Sequence, residues 1–178
     1  MTAAMTERID RCTVVGHSLG GAVGVELARL HPERVTHVIG LDSLHFLYLY
    51  PKLPAAEIEA VFDPIARDVP AGVRGLVTQG SVESTDPALG EEIFEVMSSV
   101  RLPAGLATLR GLLDWDMDSA LRTTSQPITV FAARPLYDDE AERRYGNRIT
   151  FVPVDLGGHF FYLEQPEGTA RLVAAVLP

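Results

Sequence analysis

Four short runs of consecutive apolar and β-branched residues stand out along the chain. They are Cys12–Val15, Val35–Leu41, Ile128–Ala132 and Ile149–Val154. Continuous apolar runs of this length are typical of parallel strands that are buried on both faces. Apolar residues at helical spacing, with the usual start and stop residues, predict helices over Leu19–Leu30, Asp138–Tyr145 and Gln165–Leu177. The pattern therefore predicts an α/β fold of about four parallel strands with flanking helices.

The long segment between the second and third predicted strands follows a different pattern. It contains amphipathic stretches separated by Pro and Gly, which predict helices over Ala55–Arg67, Pro87–Val100 and Pro103–Leu113. We expect a helical lid over the carboxyl edge of the sheet. The predicted division is thus residues 1–43 as the first part of a core, 44–125 as the lid, and 126–178 as the second part of the core.

The composition of the chain excludes several classes of binding partner. The 178 residues suffice for one domain, and 15 basic against 24 acidic residues give a net charge of −9. A field of that sign repels phosphate backbones and anionic lipid surfaces, so we expect neither nucleic-acid nor membrane partners. No apolar run approaches 18 residues, and the single cysteine, Cys12, excludes an intrachain disulfide. These features favour a cytoplasmic protein, and no cofactor or metal is expected.

The sequence Gly16-His17-Ser18-Leu19-Gly20 joins the first predicted strand directly to a helix. This G-x-S-x-G pattern, at a strand-to-helix turn, presents the serine hydroxyl above the sheet as a nucleophile. The flanking Gly16 and Gly20 are expected to be small because strand and helix approach closely there. The helix start would place the backbone N–H of Leu19 as an oxyanion donor.

A serine nucleophile needs a base, and the chain has five histidines. His159 is placed best, since it follows the last predicted strand through Gly157-Gly158 on a loop that can turn back over the sheet. His17 favours a structural or pocket-lining role, and His45 could line a pocket. We predict His159 as the base.

These segments resemble the α/β-hydrolase superfamily. The resemblance rests on GHSLGG after a strand and on GGHFFYLEQPE before a C-terminal helix, with serine preceding histidine in the chain. It implies that Ser18 attacks a carbonyl, that His159 moves the proton and that water resolves an acyl-enzyme. The acid would come either from Asp42, at the end of the second predicted strand, or from Asp138, after the third. Asp42 is the preferred choice, because open α/β sheets carry their sites at strand carboxyl ends and Asp138 also reads as a helix cap.

Only eleven residues precede Cys12. Measured against the family, the chain is therefore expected to be the C-terminal half of an α/β-hydrolase, without the loop that donates a second oxyanion N–H. The first strand would then be an exposed apolar edge, available for self-association or for a second chain. Three explanations stay open: a truncated version of a longer hydrolase, a short protein completed by another chain, or a non-catalytic remnant.

Two functions follow from the sequence. The first is a serine hydrolase of carboxylic esters or thioesters with a small apolar acyl substrate. Apolar lid residues are expected to line its pocket: Phe46, Leu47, Tyr48, Leu49, Tyr50, Phe62, Phe94 and Trp115. The alternative is a non-catalytic ligand-binding protein or partner subunit on a hydrolase scaffold.

Overall fold

A four-stranded, fully parallel sheet forms the centre of the computed structural model, which describes residues 9–46, 49 and 51–177. Its spatial order is β1–β2–β3–β4, with strands β1 (Cys12–His17), β2 (Val35–Leu41), β3 (Ile128–Ala133) and β4 (Ile149–Val154). The α/β fold with about four parallel strands is confirmed. β1 is two residues longer than expected, because Gly16 and His17 still pair with Gly40 and Leu41 of β2.

Helices connect and cover the strands. In the described ranges they are α1 (Leu19–Leu30), α2 (Ala55–Arg67), α3 (Val69–Gly80), α4 (Pro87–Ser98), α5 (Leu102–Leu113), α6 (Met117–Thr123), α7 (Glu140–Tyr145), α8 (Phe161–Glu164) and α9 (Pro166–Val176). A 3₁₀ turn spans Arg134–Leu136. The expected start of α7 at Asp138 is two residues early, because the Asp138 carboxylate accepts the N–H of Glu140 from outside the helix.

The two faces of the sheet bury different sets of side chains. Val38 and Val130 point to the face that is covered by α1, α6 and α7, whereas their neighbours Ile39 and Phe131 point to the face covered by α8 and α9. This alternation follows from the two-residue period of a strand. Because helices cover both faces, the strands are predominantly apolar, and the polar side chains of His37 and Thr129 bond to each other. The carboxyl ends of the strands meet at one edge.

Residues 44–125, here called the helical insertion, contain the five helices α2–α6 between β2 and β3. Two of them, α3 and α6, are not evident in the sequence pattern. α3 contains Gly72 and Gly75, which lower helix propensity, whereas Pro70 stands in its first turn, where proline is tolerated. It forms because Asp68 caps its first turn and because Val73 and Val77 pack against Ile93 and Phe160. The division of the chain at 43/44 and 125/126 stays a prediction.

β1 is an outer strand of the sheet in the described ranges, and the side chain of Val15 is 46% exposed. Pairing of this edge with a second chain stays a prediction. Within the part of the chain that the structure describes, no helix is long and apolar enough to cross a bilayer.

Candidate active site

Ser18 stands between β1 and α1 in a strained backbone conformation. Its φ is 52° and its ψ is −121°, which non-glycine residues adopt only when the surroundings enforce it. The N–H of Ser18 donates to the carbonyl of Leu41 at 3.0 Å, and the hydroxyl of Ser43 donates to the carbonyl of Ser18 at 2.5 Å. Contacts with the end of β2 therefore hold the serine turn in place.

The close approach of strand and helix depends on Gly16 and Gly21. A Cβ on Gly16 would collide with the backbone carbonyl of Gly20, and a Cβ on Gly21 would collide with the hydroxyl of Ser43. A Cβ on Gly20 would meet nothing within 4 Å. The expectation that Gly20 must be small is therefore wrong: its backbone is what Gly16 approaches, while its side-chain position faces open space.

Leu19 is the first residue of α1. The first N–H groups of a helix have no partner within the helix and point along the positive end of its dipole. The side chain of Leu19 lies instead on a separate apolar groove with Leu112 and Trp115. Only the backbone of Leu19 is thus available for an oxyanion, and that role stays a prediction.

Asp42 lies at the carboxyl end of β2, fully buried and with a φ of 42°. Its Oδ1 accepts the N–H of Ala133 at 2.7 Å and the Nε2–H of His45 at 2.9 Å. Its Oδ2 accepts the Nδ1–H of His159 at 2.6 Å. Three donors from three segments therefore converge on one carboxylate.

The pKa of Asp42 lies below its ordinary value. Burial alone would raise this pKa, but hydrogen bonds from His159 and His45, together with the charge interaction with both rings, outweigh burial. Asp42 is accordingly an anion at neutral pH, although it is buried.

His159 lies on the loop between β4 and α8, and its side chain is 14% exposed. Its backbone N–H donates to the carbonyl of Gly80 at 2.7 Å. The preceding Gly157 has a φ of 130°, and the N–H of Gly158 donates to Glu164 at 2.9 Å. Because Nδ1 of His159 donates to Asp42, its Nε2 carries the lone pair that can accept a proton.

The ring of His17 packs against the ring of His159. The ring centroids are 4.5 Å apart, and Nε2 of His17 donates to the carbonyl of His159 at 2.9 Å. Burial, and then repulsion from His159, lower the pKa of His17 to about 4. His17 is therefore a neutral ring at neutral pH, which supports the backbone of His159.

A cavity of about 940 Å³ opens above these side chains. Ser18, His17 and His159 form part of its lining, and the helical insertion supplies an apolar wall from α3 and α4: Leu76, Leu89, Ile93, Val96 and Met97. The 159–163 segment adds Phe160, Tyr162 and Leu163. Among the charged lysine, arginine, aspartate and glutamate residues, Glu92 alone appears in the described lining. The cavity suits a neutral substrate with an apolar part.

Of the apolar lid residues expected to line the pocket, Phe46 does so. Leu49 is buried in the core, Arg110 and Arg74 cover the rings of Phe62 and Phe94, and Trp115 donates to Glu26 against α1. That part of the expectation is wrong, because the helices turn these side chains away from the cavity. Leu47, Tyr48 and Tyr50 lie outside the described residues.

The structure brings Asp42 and His159 into contact and leaves Asp138 on the surface at the start of α7. Sequence reasoning missed the contact of His45 with Asp42, although His45 follows Asp42 by three residues at a strand end. It also missed Glu164 and Gly80, which hold the His159 loop. In residues 9–46, 49 and 51–177, no group of three or more His, Cys, Asp and Glu side chains could hold a metal ion.

A family model described as the alpha/beta hydrolase family matches residues 2–172. RutD of Caulobacter sp. (strain K31), provisionally named a carbamate hydrolase, is 26% identical over 174 residues, covering 89% of this chain and 62% of RutD. A pimeloyl-acyl-carrier-protein methyl ester esterase of Aromatoleum aromaticum is 28% identical over 195 residues, covering 98% of this chain and 77% of the esterase.

The fold is also similar to that of solved structures. A thermophilic esterase from Thermogutta terrifontis superposes with a TM-score of 0.75 at 22% identity, covering 93% of this chain and 64% of the esterase. The chain thus spans about two thirds of the length of these relatives.

Proposed function

The chain belongs to the alpha/beta hydrolase family, and from that premise we propose that it hydrolyses carboxylic esters or thioesters through an acyl-enzyme intermediate. Ser18 is the nucleophile, His159 the general base and Asp42 the acid that orients it. The observation that carries the proposal is the 2.6 Å hydrogen bond from Nδ1 of His159 to Asp42 beside a cavity that Ser18 also lines.

The first half of the reaction forms the acyl-enzyme. Nε2 of His159 takes the proton of the Ser18 hydroxyl while Oγ attacks the carbonyl carbon, and Asp42 stabilises the imidazolium that forms. The N–H of Leu19 donates to the oxyanion of the tetrahedral intermediate. Collapse of this intermediate breaks the ester bond, and the leaving alcohol or thiol takes the proton back from His159.

The second half consumes water. Nε2 of His159 takes a proton from a water molecule, whose oxygen attacks the acyl carbon of the Ser18 ester. Collapse of the second tetrahedral intermediate releases the carboxylic acid and returns the proton to Oγ of Ser18. Burial of Asp42 supports both halves, because a charge in a low-dielectric site holds the imidazolium more strongly than one in water.

The lining of the cavity supports an apolar acyl group. Leu76, Ile93 and Met97 belong to two helices of the helical insertion and face the same space as Ser18. The similarity to the pimeloyl-acyl-carrier-protein methyl ester esterase, at 28% identity, supports hydrolysis of esters in general.

A fluorophosphonate probe tests the nucleophile. We expect the wild-type protein to be labelled on Ser18 and the Ser18→Ala variant to lose labelling and hydrolysis of 4-nitrophenyl butyrate together. Ser84→Ala is the matched control, since Ser84 is exposed and lies outside the cavity that Ser18 lines. Folded wild-type protein that takes no label would contradict the proposal and favour a ligand-binding role without turnover.

A further inference from the structure

We propose that His45 is a positioning residue that holds the Asp42 carboxylate ionised and aligned with His159, without touching the substrate. The proposal rests on the assignment of Asp42 and His159 in the proposed function and adds a fourth side chain to that site.

His45 is separated from the substrate space. Its side chain is 0% exposed, and it does not belong to the described lining of the cavity that contains Ser18 and His159. Its Nε2–H points to Oδ1 of Asp42 at 2.9 Å. His45 therefore contacts Asp42 directly, and it reaches the cavity lining through Phe46, whose ring lies 4.2 Å from its own.

The two oxygens of Asp42 are used differently. Oδ1 accepts two donors, Ala133 N–H from the end of β3 and His45 Nε2–H from the segment after β2. Two donors on one oxygen fix the rotation of the carboxylate, and Oδ2 is then directed to Nδ1 of His159. Without His45, Oδ1 would keep the N–H of Ala133 alone, and the carboxylate plane would be less restrained.

The backbone between Asp42 and His45 is strained in the turn that carries this contact. Asp42 has a φ of 42° and Leu44 a φ of 62°, and together with Ser18 they are the non-glycine residues of the described ranges that adopt positive φ. Such a conformation is unfavourable for a residue with a side chain and persists where the surrounding structure enforces it. Here the turn brings the ring at position 45 back onto the carboxylate at position 42.

The negative charge of the Asp42–His159 pair makes the pH at which the pair binds a proton sensitive to His45. Unprotonated, the Asp42–His159 pair carries one negative charge, and the donor from His45 stabilises that state. Loss of the donor raises the free energy of the anionic pair relative to the singly protonated pair, so the pair binds its proton at higher pH. In the part of the chain that the structure describes, the other titratable rings that face this cluster are His17, 4.5 Å from the His159 ring, and Tyr137, 5.7 Å from the His45 ring.

Two substitutions with side chains of similar length distinguish the role of His45 as a hydrogen-bond donor from its role in filling space. His45→Gln keeps an N–H donor near the position of Nε2, and His45→Met does not. Imidazole NMR follows the titration midpoint of His159, which is identified by its loss in His159→Gln, and does not depend on turnover. In parallel, kcat and KM for 4-nitrophenyl butyrate are measured from pH 5 to 9.

For His45→Met we expect the midpoint and the acid limb of kcat/KM to move upward by a fraction of a pH unit, because the bond from His45 to Asp42 is present in both protonation states of the pair and only its change in strength moves the midpoint. We expect kcat to fall about 10- to 100-fold with KM nearly unchanged, as when a partner that orients a functional histidine is removed. His45→Gln should restore the wild-type midpoint. An unmoved midpoint in His45→Met, or equal shifts in both variants, would overturn the proposal.

The wild-type protein gives a second measurement that needs no folded His45→Met protein. The His45 Nε2 proton should exchange slowly and should shift in Asp42→Asn; a freely exchanging His45 proton overturns the proposal. If the midpoint moves as expected but no ester is hydrolysed, the proposed function fails and the positioning role stands. If the ester is hydrolysed but the midpoint does not move, the positioning role fails and the proposed function stands.

Discussion

The backbone N–H of His159 donates to the carbonyl of Gly80, the last residue of α3, at 2.7 Å. This bond joins the proposed base to the helical insertion. A second link runs through Glu164, whose Oε1 accepts the N–H of Gly158 at 2.9 Å and whose Oε2 accepts the hydroxyl of Thr85 at 3.2 Å. The insertion therefore covers the cavity and also holds the loop that carries His159.

Gly80→Ala should disturb this link. A Cβ at position 80 would lie 2.8 Å from Cβ of His159 and 3.0 Å from the ring of Phe160, so the histidine loop must move away from α3. We expect kcat for 4-nitrophenyl butyrate to fall on the order of 10-fold, because small displacements of a catalytic group are costly. Gly75→Ala on the same helix is the control, since its Cβ meets nothing within 4 Å. Equal kcat values for the two variants would show that the contact with α3 does not position His159.

Substitution of the two candidate acids, Asp42 and Asp138, should affect kcat very differently. Asp42→Asn keeps an acceptor for His45 and Ala133 but presents an amide N–H₂ to His159, which then holds the wrong tautomer. We expect kcat to fall by about 10,000-fold, as for the same change in a serine-protease triad. Asp138→Asn should leave kcat within about two-fold, because Asp138 is exposed and its carboxylate accepts only the N–H of Glu140 among the hydrogen bonds described for that side chain. A comparable loss in both variants would remove Asp42 from its proposed role.

Sequence patterns predicted those elements whose formation is decided locally. The bounds of β2 and α1 follow from an uninterrupted apolar run and from an apolar stripe ended by His31-Pro32. α3 is not evident in the sequence because Gly72 and Gly75 disfavour a helix, and packing of Val73 and Val77 against Phe160 stabilises it. That packing joins residues about 85 positions apart in the chain, which no local pattern shows.

The same distinction applies to the candidate site. Ser18 and Asp42 could be named because each directly follows a strand, and His159 because it lies on the short Gly157-Gly158 loop after β4. The contact of His45 with Asp42 depends on positive φ at Asp42 and Leu44, and a leucine gives no sign of such a conformation in the sequence.

The glycines around Ser18 should differ in their tolerance of a methyl group. Gly16→Ala would press Cβ against the backbone carbonyl of Gly20, which cannot move without breaking the turn. We expect the free energy of unfolding to fall by about 1–3 kcal/mol, the usual cost of overpacking, or by more. Gly20→Ala should be neutral or slightly stabilising, because its Cβ meets open space at the start of a helix. Denaturant titration of both variants measures the difference, and equal losses would contradict the assigned close approach.

His17 should make the protein less stable in mild acid. Its pKa is about 4 in the folded protein against an ordinary value of 6.5, because burial and then His159 disfavour its charged form. Between these two pH values the unfolded chain binds more protons, so stability is fully present above 6.5 and is lost as the pH falls towards 4. The loss from this residue is up to about 3 kcal/mol at 1.36 kcal/mol per pH unit.

His17→Gln isolates this contribution, since glutamine does not titrate and retains an N–H donor for the carbonyl of His159. Burial also lowers the pKa of His37, so the wild-type slope contains a second contribution in the same window, and the difference between the two proteins is the quantity to measure. We expect urea titrations from pH 4 to 7 to give a flatter profile for His17→Gln and a wild-type slope for the control His31→Gln, at the end of α1. The lowered pKa of Asp42 acts below its ordinary value of 3.8 and therefore outside this window. Parallel profiles for wild type and His17→Gln would mean that the ring of His17 becomes charged in the folded protein without cost.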